Sequence, residues 1–338
     1  MLAAMGEFDL IARFFTRPAR HAVLGVGDDC ALLQPKPGTQ MAISTDMLVQ
    51  GRHFFADVDP HTLGHKSLAV NLSDLAACGA RPLAFSLALS LPEVDEAWLA
   101  PFAQGLLALA DEHQCELIGG DTTRGPLNIC ITVFGEVLAP SAHTQALLRS
   151  GAQVGDDVYV SGHLGDARLA LEALQGKVRL LPQALARIRT RLERPTPRVA
   201  LGMALRGIAT AAIDISDGLS GDLGHILQAS KVGARLDANT LPSLMADPQA
   251  FASACAAEAG PNAGEPVEAL DYILAGGDDY ELAFTAPASA RDAVAEAART
   301  SQTRVSRIGC IEAGSGLRVL DGLGRLVTPS VSSFDHFA

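Results

Sequence analysis

Hydrophobic positions along the chain change rhythm repeatedly, from helical spacing to strand-like runs and back, which is the signature of a mixed α and β protein. An amphipathic helix is predicted over 7–15, followed by the loop Gly25-Val26-Gly27-Asp28-Asp29 and a short strand over 41–45 that ends in Asp46. The segment 61–78 reads as a helix stopped by Gly79 and Pro82. A strand is predicted over 83–89, and Asp95 is placed to cap a long helix over 96–113. A strand over 116–118 then leads into the loop Gly119-Gly120-Asp121-Thr122-Thr123, and 127–137 is another strand.

Pro140 and the polar run 141–145 read as a linker, so two domains are expected, 1–140 and 150–338. The second carries strands over 157–161, 211–215, 280–284, 305–311 and 317–320, with helices over 166–174, 219–230 and 289–300. The strand over 211–215 runs straight into Ser216-Asp217-Gly218. The stretch 182–197 is irregular or helical, and 238–266, rich in Ala, Pro and Asn, has no clear period.

A length of 338 residues suits two cores better than one. With 48% hydrophobic and 19% charged residues the composition is that of a globular protein, and no stretch approaches the roughly 20 apolar residues that span a bilayer. Glu7 and Asp9 stand where a secretory signal would carry basic residues, so a cytoplasmic location is expected. Six cysteines without a CxxC pair read as small core residues in a reducing compartment. The net charge of −12, from 26 basic and 38 acidic residues, argues against a nucleic-acid surface. It also means that a polyphosphate ligand would need cations between itself and the carboxylates.

Common nucleotide-binding signatures fail. A P-loop ending at Gly176-Lys177 would need glycine where Leu171 stands, and the GxGxxG pattern begun at Gly25 ends on Cys30. His61 and His65 have metal-ligand spacing but no Glu partners them, and they read as helix surface.

What remains is a series of aspartates at element ends beside glycines or small hydroxyls: Asp28 and Asp29, Ser44-Thr45-Asp46, Asp121, Asp214 and Asp217, and Asp278 with Asp279. Each alone reads as a turn residue or cap. Together they suit Mg²⁺, which takes oxygen ligands and needs only one or two carboxylates per ion. Asp74 is a sharper signal. It shares one helix face with Ser67, Asn71 and Cys78, among leucines that pack the helix, and a carboxylate there needs a partner. A salt bridge to Lys66 or Arg81 and ligation of a metal are the alternatives, and the metal is favoured.

These segments, in this order, resemble the thiamine-monophosphate kinase family within the aminoimidazole-ribonucleotide-synthetase-like superfamily. The resemblance is carried by GEFDLIARFF at 6–15, GVGDDCALL at 25–33, ISTDMLVQGRHF at 43–54 and LAVNLSDLAACGARP at 68–82. It continues through LIGGDTTRGPL at 117–127, AIDISDGLSGDLGHI at 212–226, GGDDYEL at 276–282 and FDHF at 334–337. It implies an α+β fold whose N-terminal domains pair their sheets into a barrel across a homodimer, with ATP near that interface. A C-terminal α/β domain would cover the substrate. By the same resemblance Asp29, Ser44, Thr45, Asp46, Asp74, Asp121, Asp214 and Asp217 form the metal site, and Gly120, Asp121, Arg149 and Ser216 contact ATP. His53, Asp278 and Phe334 would contact thiamine monophosphate. The chain departs from the family at two of these places, with Asp278 where Glu is common and Phe334 where similar sequences have Tyr.

The chemistry implied is direct in-line transfer of the γ-phosphoryl group of ATP, with no covalent intermediate, because no activated Ser, Cys or His arrangement is visible. Two rival readings are a different ATP-using enzyme of the superfamily, such as a selenophosphate synthetase or an amidine-forming synthetase, and a non-catalytic thiamine-phosphate binder. Against the first, no reactive cysteine precedes Cys30.

Overall fold

Leucine-rich helices laid on one side of a sheet make the first core. In the computed structural model, which describes residues 6–140, 144–248, 250–251 and 269–327, the chain divides into two units. One comprises residues up to Leu75 with Ala80–Ala146, the other Ala76–Gly79 with the residues from Leu147 on. The first holds strands β1 (Thr39–Val49), β2 (Arg81–Leu91), β3 (Glu116–Arg124) and β4 (Asn128–Leu138) in the order β1-β4-β2-β3. β4 runs antiparallel to β1 and β2, while β2 and β3 are parallel and joined by a helical crossover.

The predicted N-terminal helix begins as α1 (Glu7–Leu10) and continues as a π-helical turn over Ile11–Phe15. Helix α2 (Pro60–Ala77) and helix α3 (Glu96–Glu112) match their predicted positions, and the Asp95 carboxylate accepts from Ala97 N at 2.9 Å as a cap should. The two helices meet backbone to backbone. A Cβ on Gly64 would lie 2.0 Å from Phe102 O, and one on Gly105 would lie 1.9 Å from His61 O. Leu63, Leu68, Leu72 and Leu75 are buried, as are Phe85, Leu87, Leu89, Ile129, Ile131 and Val133 on the packed face of the sheet.

Two boundaries in this sheet differ from expectation, and at the first β1 runs past Asp46 to Val49, which puts Asp46 within the strand. The strand predicted to end at Ile118 runs on as β3 to Arg124, so Gly119-Gly120-Asp121 is strand rather than loop. The pairing shifts by one residue, with Phe85 opposite Leu117 and Ser86 opposite Gly119, which makes a bulge at Ile118. Glycines read as loop because they lack strand propensity. Here one is needed, since a Cβ on Gly120 would fall 1.8 Å from Leu87 O.

In the second unit six strands take the order β10-β7-β9-β5-β8-β6. They are β5 (Asp156–Ser161), β6 (Ala211–Ile215), β7 (Gly233–Asp237), β8 (Glu281–Pro287), β9 (Val305–Glu312) and β10 (Gly316–Leu320). β10 and β7 are parallel and the other pairings antiparallel. Helices α4 (Asp166–Leu174), α5 (Pro182–Glu193) and, after the short α6 (Val199–Ala204), α7 (Leu219–Ser230) supply side chains to a core that includes Val158, Val160, Ile213, Ile215, Leu223, Ile226 and Ile273. The ambiguous stretch 182–197 thus contains a helix that begins on Pro182 at its first turn. Strand β7 and a short helix, Ala269–Ala275, were not predicted. Both are short, and tertiary packing rather than local pattern holds them. β8 begins at Glu281 instead of Tyr280, because Tyr280 sits at φ 49° and cannot be extended.

Candidate active site

In the first unit a cleft of about 1060 Å³ lies between the N-terminal helical segment, the loop around Asp28 and β3. Phe8, Ile11, Phe15 and Phe134 give it apolar walls, and Asp29, Gly120 and Asp121 bring backbone and carboxylate groups to it. The loop is held by local geometry. Leu24 bridges Leu32 across it, Gly27 takes φ 127°, and the Asp28 carboxylate accepts from Asp29 N at 2.9 Å. Apolar walls with a few convergent polar groups are what a small-molecule site needs.

A second set gathers on the packed face of the same sheet. Strand alternation directs Ser44, Asp46 and Leu48 to that face and Ile43, Thr45 and Met47 to the other. The Ser44 hydroxyl donates to the Asp74 carboxylate across from α2, and Asp46 N donates to the Asn71 side-chain oxygen at 3.1 Å. Asn71 is 1% exposed and Asp74 half-buried, so the helix face singled out by its spacing does meet the strand that carries Asp46. Arg81, the alternative partner for Asp74, donates to Glu136 at 2.5 Å. Thr45 faces the other side, its hydroxyl 2.8 Å from that of Thr132. By register Asp121 pairs with Ala88 and so shares that side, apart from Ser44 and Asp46. His53 follows β1 in a tight turn, and its Nδ1 accepts from Val49 N at 3.0 Å, which leaves the ring proton on Nε2.

The second unit places its predicted residues in two adjoining turns. Asp214 is buried near the end of β6, and Ser216 and Asp217 follow it, half-buried. The Asp222 carboxylate, from the first turn of α7, accepts from the N–H groups of Ser216, Asp217 and Gly218 at 3.0, 3.1 and 3.1 Å. Burial pushes the Asp222 carboxyl up to about 6 against the pull of those donors. Ser216 O accepts from Asp278 N at 2.9 Å, and Ile215 O from Tyr280 N at 2.8 Å. Between them the fully buried Asp279 accepts from Gly165 N at 3.0 Å, and burial raises its carboxyl well above the usual range. Arg149 is exposed, with its carbonyl accepting from the Ser230 hydroxyl. Phe334 lies outside the described residues.

The residues thus fall into three local groups: Asp29 with Gly120 and Asp121, Ser44 with Asp46 and Asp74, and Asp214, Ser216, Asp217 and Asp278. Among the described residues no group of three or more His, Cys, Asp or Glu side chains is placed to hold one metal ion. The donors are carboxylates and hydroxyls throughout, the set a hard divalent cation prefers. Two residues that hold these groups in place, Asn71 and Asp222, carry no predicted role. Asn71 was visible on the Asp74 helix face, and Asp222 had only the weak signal of an acid in a helix's first turn.

Residues 27–137 match the family described as AIR synthase related protein, N-terminal domain, and residues 153–322 its C-terminal domain. The thiamine-monophosphate kinase of Salmonella typhimurium is 45% identical over 341 residues, covering 99% of each chain. The crystal structure of thiamine-monophosphate kinase from Stenotrophomonas maltophilia superposes with a TM-score of 0.78 at 46% identity, over 92% of this chain and 94% of that one. A structure of AaThiL complexed with AMPPCP and TMP gives a TM-score of 0.75 at 28% identity, over 90% and 89% of the two chains. With both domains matched and near-complete coverage at this identity, the chain belongs to the AIR synthase-related family and, within it, to the thiamine-monophosphate kinases.

Proposed function

We propose that this chain transfers the γ-phosphoryl group of ATP to thiamine monophosphate, yielding thiamine diphosphate and ADP. The observation that carries the reading is the 45% identity to a thiamine-monophosphate kinase over 99% of the chain. The cleft beside Asp29, Gly120 and Asp121 supports it, being large enough for a nucleotide and lined for one.

The acceptor is a phosphate monoester with a second pKa near about 6, so it is largely dianionic at neutral pH and needs no general base. The difficulty is electrostatic, since two anions must approach in line. Asp29, Ser44, Thr45, Asp46, Asp74, Asp121, Asp214 and Asp217 are the residues that would hold Mg²⁺, and their oxygen-only chemistry fits it. Bound Mg²⁺ would neutralise phosphate charge and stabilise the charge that develops during transfer. The Gly120 backbone, Asp121, Arg149 and Ser216 bind and orient ATP. His53, with its proton on Nε2, donates toward the acceptor phosphate, while Asp278 and Phe334 contact the vitamin's rings. Transfer is direct, and isolation of an ATP-labelled protein able to pass its label to thiamine monophosphate would overturn that step.

The chain acts as a cytoplasmic homodimer. Among the described residues no helix is long and apolar enough to cross a membrane. Ile43 and Met47, on the face of β1 turned from the helices, are 62% and 54% exposed, and a second copy of that sheet would cover them. ADP release measured with thiamine monophosphate, and with thiamine and unrelated phosphate monoesters as controls, tests the function. ATP turnover that requires thiamine monophosphate and Mg²⁺ is expected. Binding without turnover would favour the non-catalytic reading.

A further inference from the structure

We propose that Asp222 is a positioning residue whose carboxylate shapes the turn over 216–218 and, through Ser216, the turn that presents Asp278. The proposal rests on the reading of Asp214, Ser216 and Asp217 as metal- and nucleotide-contacting groups. Asp222 is 4% exposed, and a single oxygen, Oδ2, receives three consecutive backbone N–H groups at 3.0 to 3.1 Å. Its own N–H donates to Gly218 O at 3.0 Å, so the residue is tied at both ends to the turn it shapes.

Three successive N–H groups at the start of a helix form a cradle that elsewhere receives phosphate. Here the chain's own carboxylate fills it. A phosphate therefore cannot settle on these amides, and this turn meets its ligands through the side chains of Ser216 and Asp217. The electrostatics reverse accordingly: a place that would draw anions by its backbone instead offers carboxylates to cations.

The hold extends further. The Ser216 peptide donates to Asp222 on one side and accepts from Asp278 N on the other. Asp278 and Tyr280 sit at φ 67° and φ 49°, a conformation costly for residues other than glycine, and such strain persists only where the surroundings impose it. Gly277 must pass so close to Ser216 that a Cβ would fall 2.4 Å from its carbonyl oxygen. Freeing the 216–218 turn thus also loosens the turn of Asp278.

Asp222→Asn keeps an oxygen that can accept the three N–H groups but loses the charge, while Asp222→Ala removes the acceptor. Amide hydrogen exchange at 216–218 and at Asp278 should stay within about threefold of the native rate in Asp222→Asn and rise at least about tenfold in Asp222→Ala. Steady-state kinetics should follow the same order. Asp222→Ala is expected to lower kcat about 100-fold and to raise the half-saturating Mg²⁺ concentration about tenfold, with Asp222→Asn recovering most of both. If Asp222→Ala does not fold, Asp222→Ser, whose hydroxyl is too short to reach all three amides, takes its place. A residue that only capped α7 would cost thermal stability and leave the Mg²⁺ dependence of the folded protein unchanged, which would overturn the proposal. Unchanged exchange at 216–218 in Asp222→Ala would do the same. Failure of the wild-type chain to release ADP with thiamine monophosphate would instead refute the functional reading, and the exchange measurement would still decide whether Asp222 holds the turns.

Discussion

Asp46 and Asp74 show at the scale of single residues why an aspartate beside a small residue need not be a turn aspartate. Asp46 stands within a strand, its N–H donating to a buried Asn71 side chain, and the Asp74 carboxylate takes the Ser44 hydroxyl from that strand. None of these contacts caps a turn or helix. Asp46→Asn and Asp74→Asn should each lower turnover by about 100-fold or more while leaving the melting temperature within a few degrees of wild type. Full activity in either variant at ordinary Mg²⁺ concentration would remove that residue from the metal set. Both positions stand out in the sequence, Asp74 by its helical spacing and Asp46 beside small hydroxyls, although the strand expected to end at Asp46 runs on to Val49. Thr45 joins the set through the family resemblance alone, and the pleat turns its side chain to the face that Asp121 shares.

Pairs of elements are set by contacts that local pattern does not reveal. The crossing of α2 and α3 depends on Gly64 and Gly105, each facing a backbone carbonyl of the other helix. Gly105→Ala should destabilise the first unit by about 1–3 kcal/mol through overpacking, despite alanine's better helix propensity. Chemical denaturation would measure this, and a neutral or stabilising result would show that the helices can separate at little cost. In the second unit Glu281, 1% exposed, receives Arg198 at 2.6 Å through both nitrogens, Arg191 at 2.8 Å and the Ser161 hydroxyl at 2.6 Å. Burial alone would raise this carboxyl, but the hydrogen bonds and charge of Arg198, with Arg191 and Ser161, outweigh it and hold the group below the usual glutamate range. A depressed folded pKa stabilises the protein above the unfolded value, and that stability is lost as pH falls through the folded one, so the loss belongs to the acid side, below about pH 4. Glu281→Gln should cost about 3–5 kcal/mol at neutral pH, because it leaves two partly buried arginines without their counter-charge. Its stability should then fall less steeply on acidification than that of the wild type, and parallel acid titrations of the two proteins would count against the assignment.

At the scale of the whole molecule, an exposed apolar surface suits the proposed pairing of two copies. The first sheet has helices on one face, while on the other β1 leaves Ile43 and Met47 open, with Thr45 between them. Light scattering should find a dimer for the wild type and a monomer for the double variant Ile43→Lys, Met47→Lys, with circular dichroism unchanged. A monomeric wild type at micromolar concentration would sink the dimer reading. The net charge of −12 belongs to this scale too, because a chain so acidic repels free nucleotide unless cations stand between the two.

Local order was decided largely by the chain itself. Helices α2, α3 and α7 and strands β2, β4 and β6 follow from apolar period, a capping Asp95 and stopping glycines, because these act over a few residues and need no distant partner. The order of the acidic motifs along the chain likewise specified the family. Tertiary structure alone decided what depends on a neighbour's backbone: the bulge that keeps Gly119-Gly120 in a strand, the left-handed turn at Asp278 and Tyr280, and the pairing of short β7 with β9 and β10. A one-dimensional pattern records what each residue prefers. Which face it presents, and whose carbonyl it meets there, is settled only when the sheets and helices close on one another.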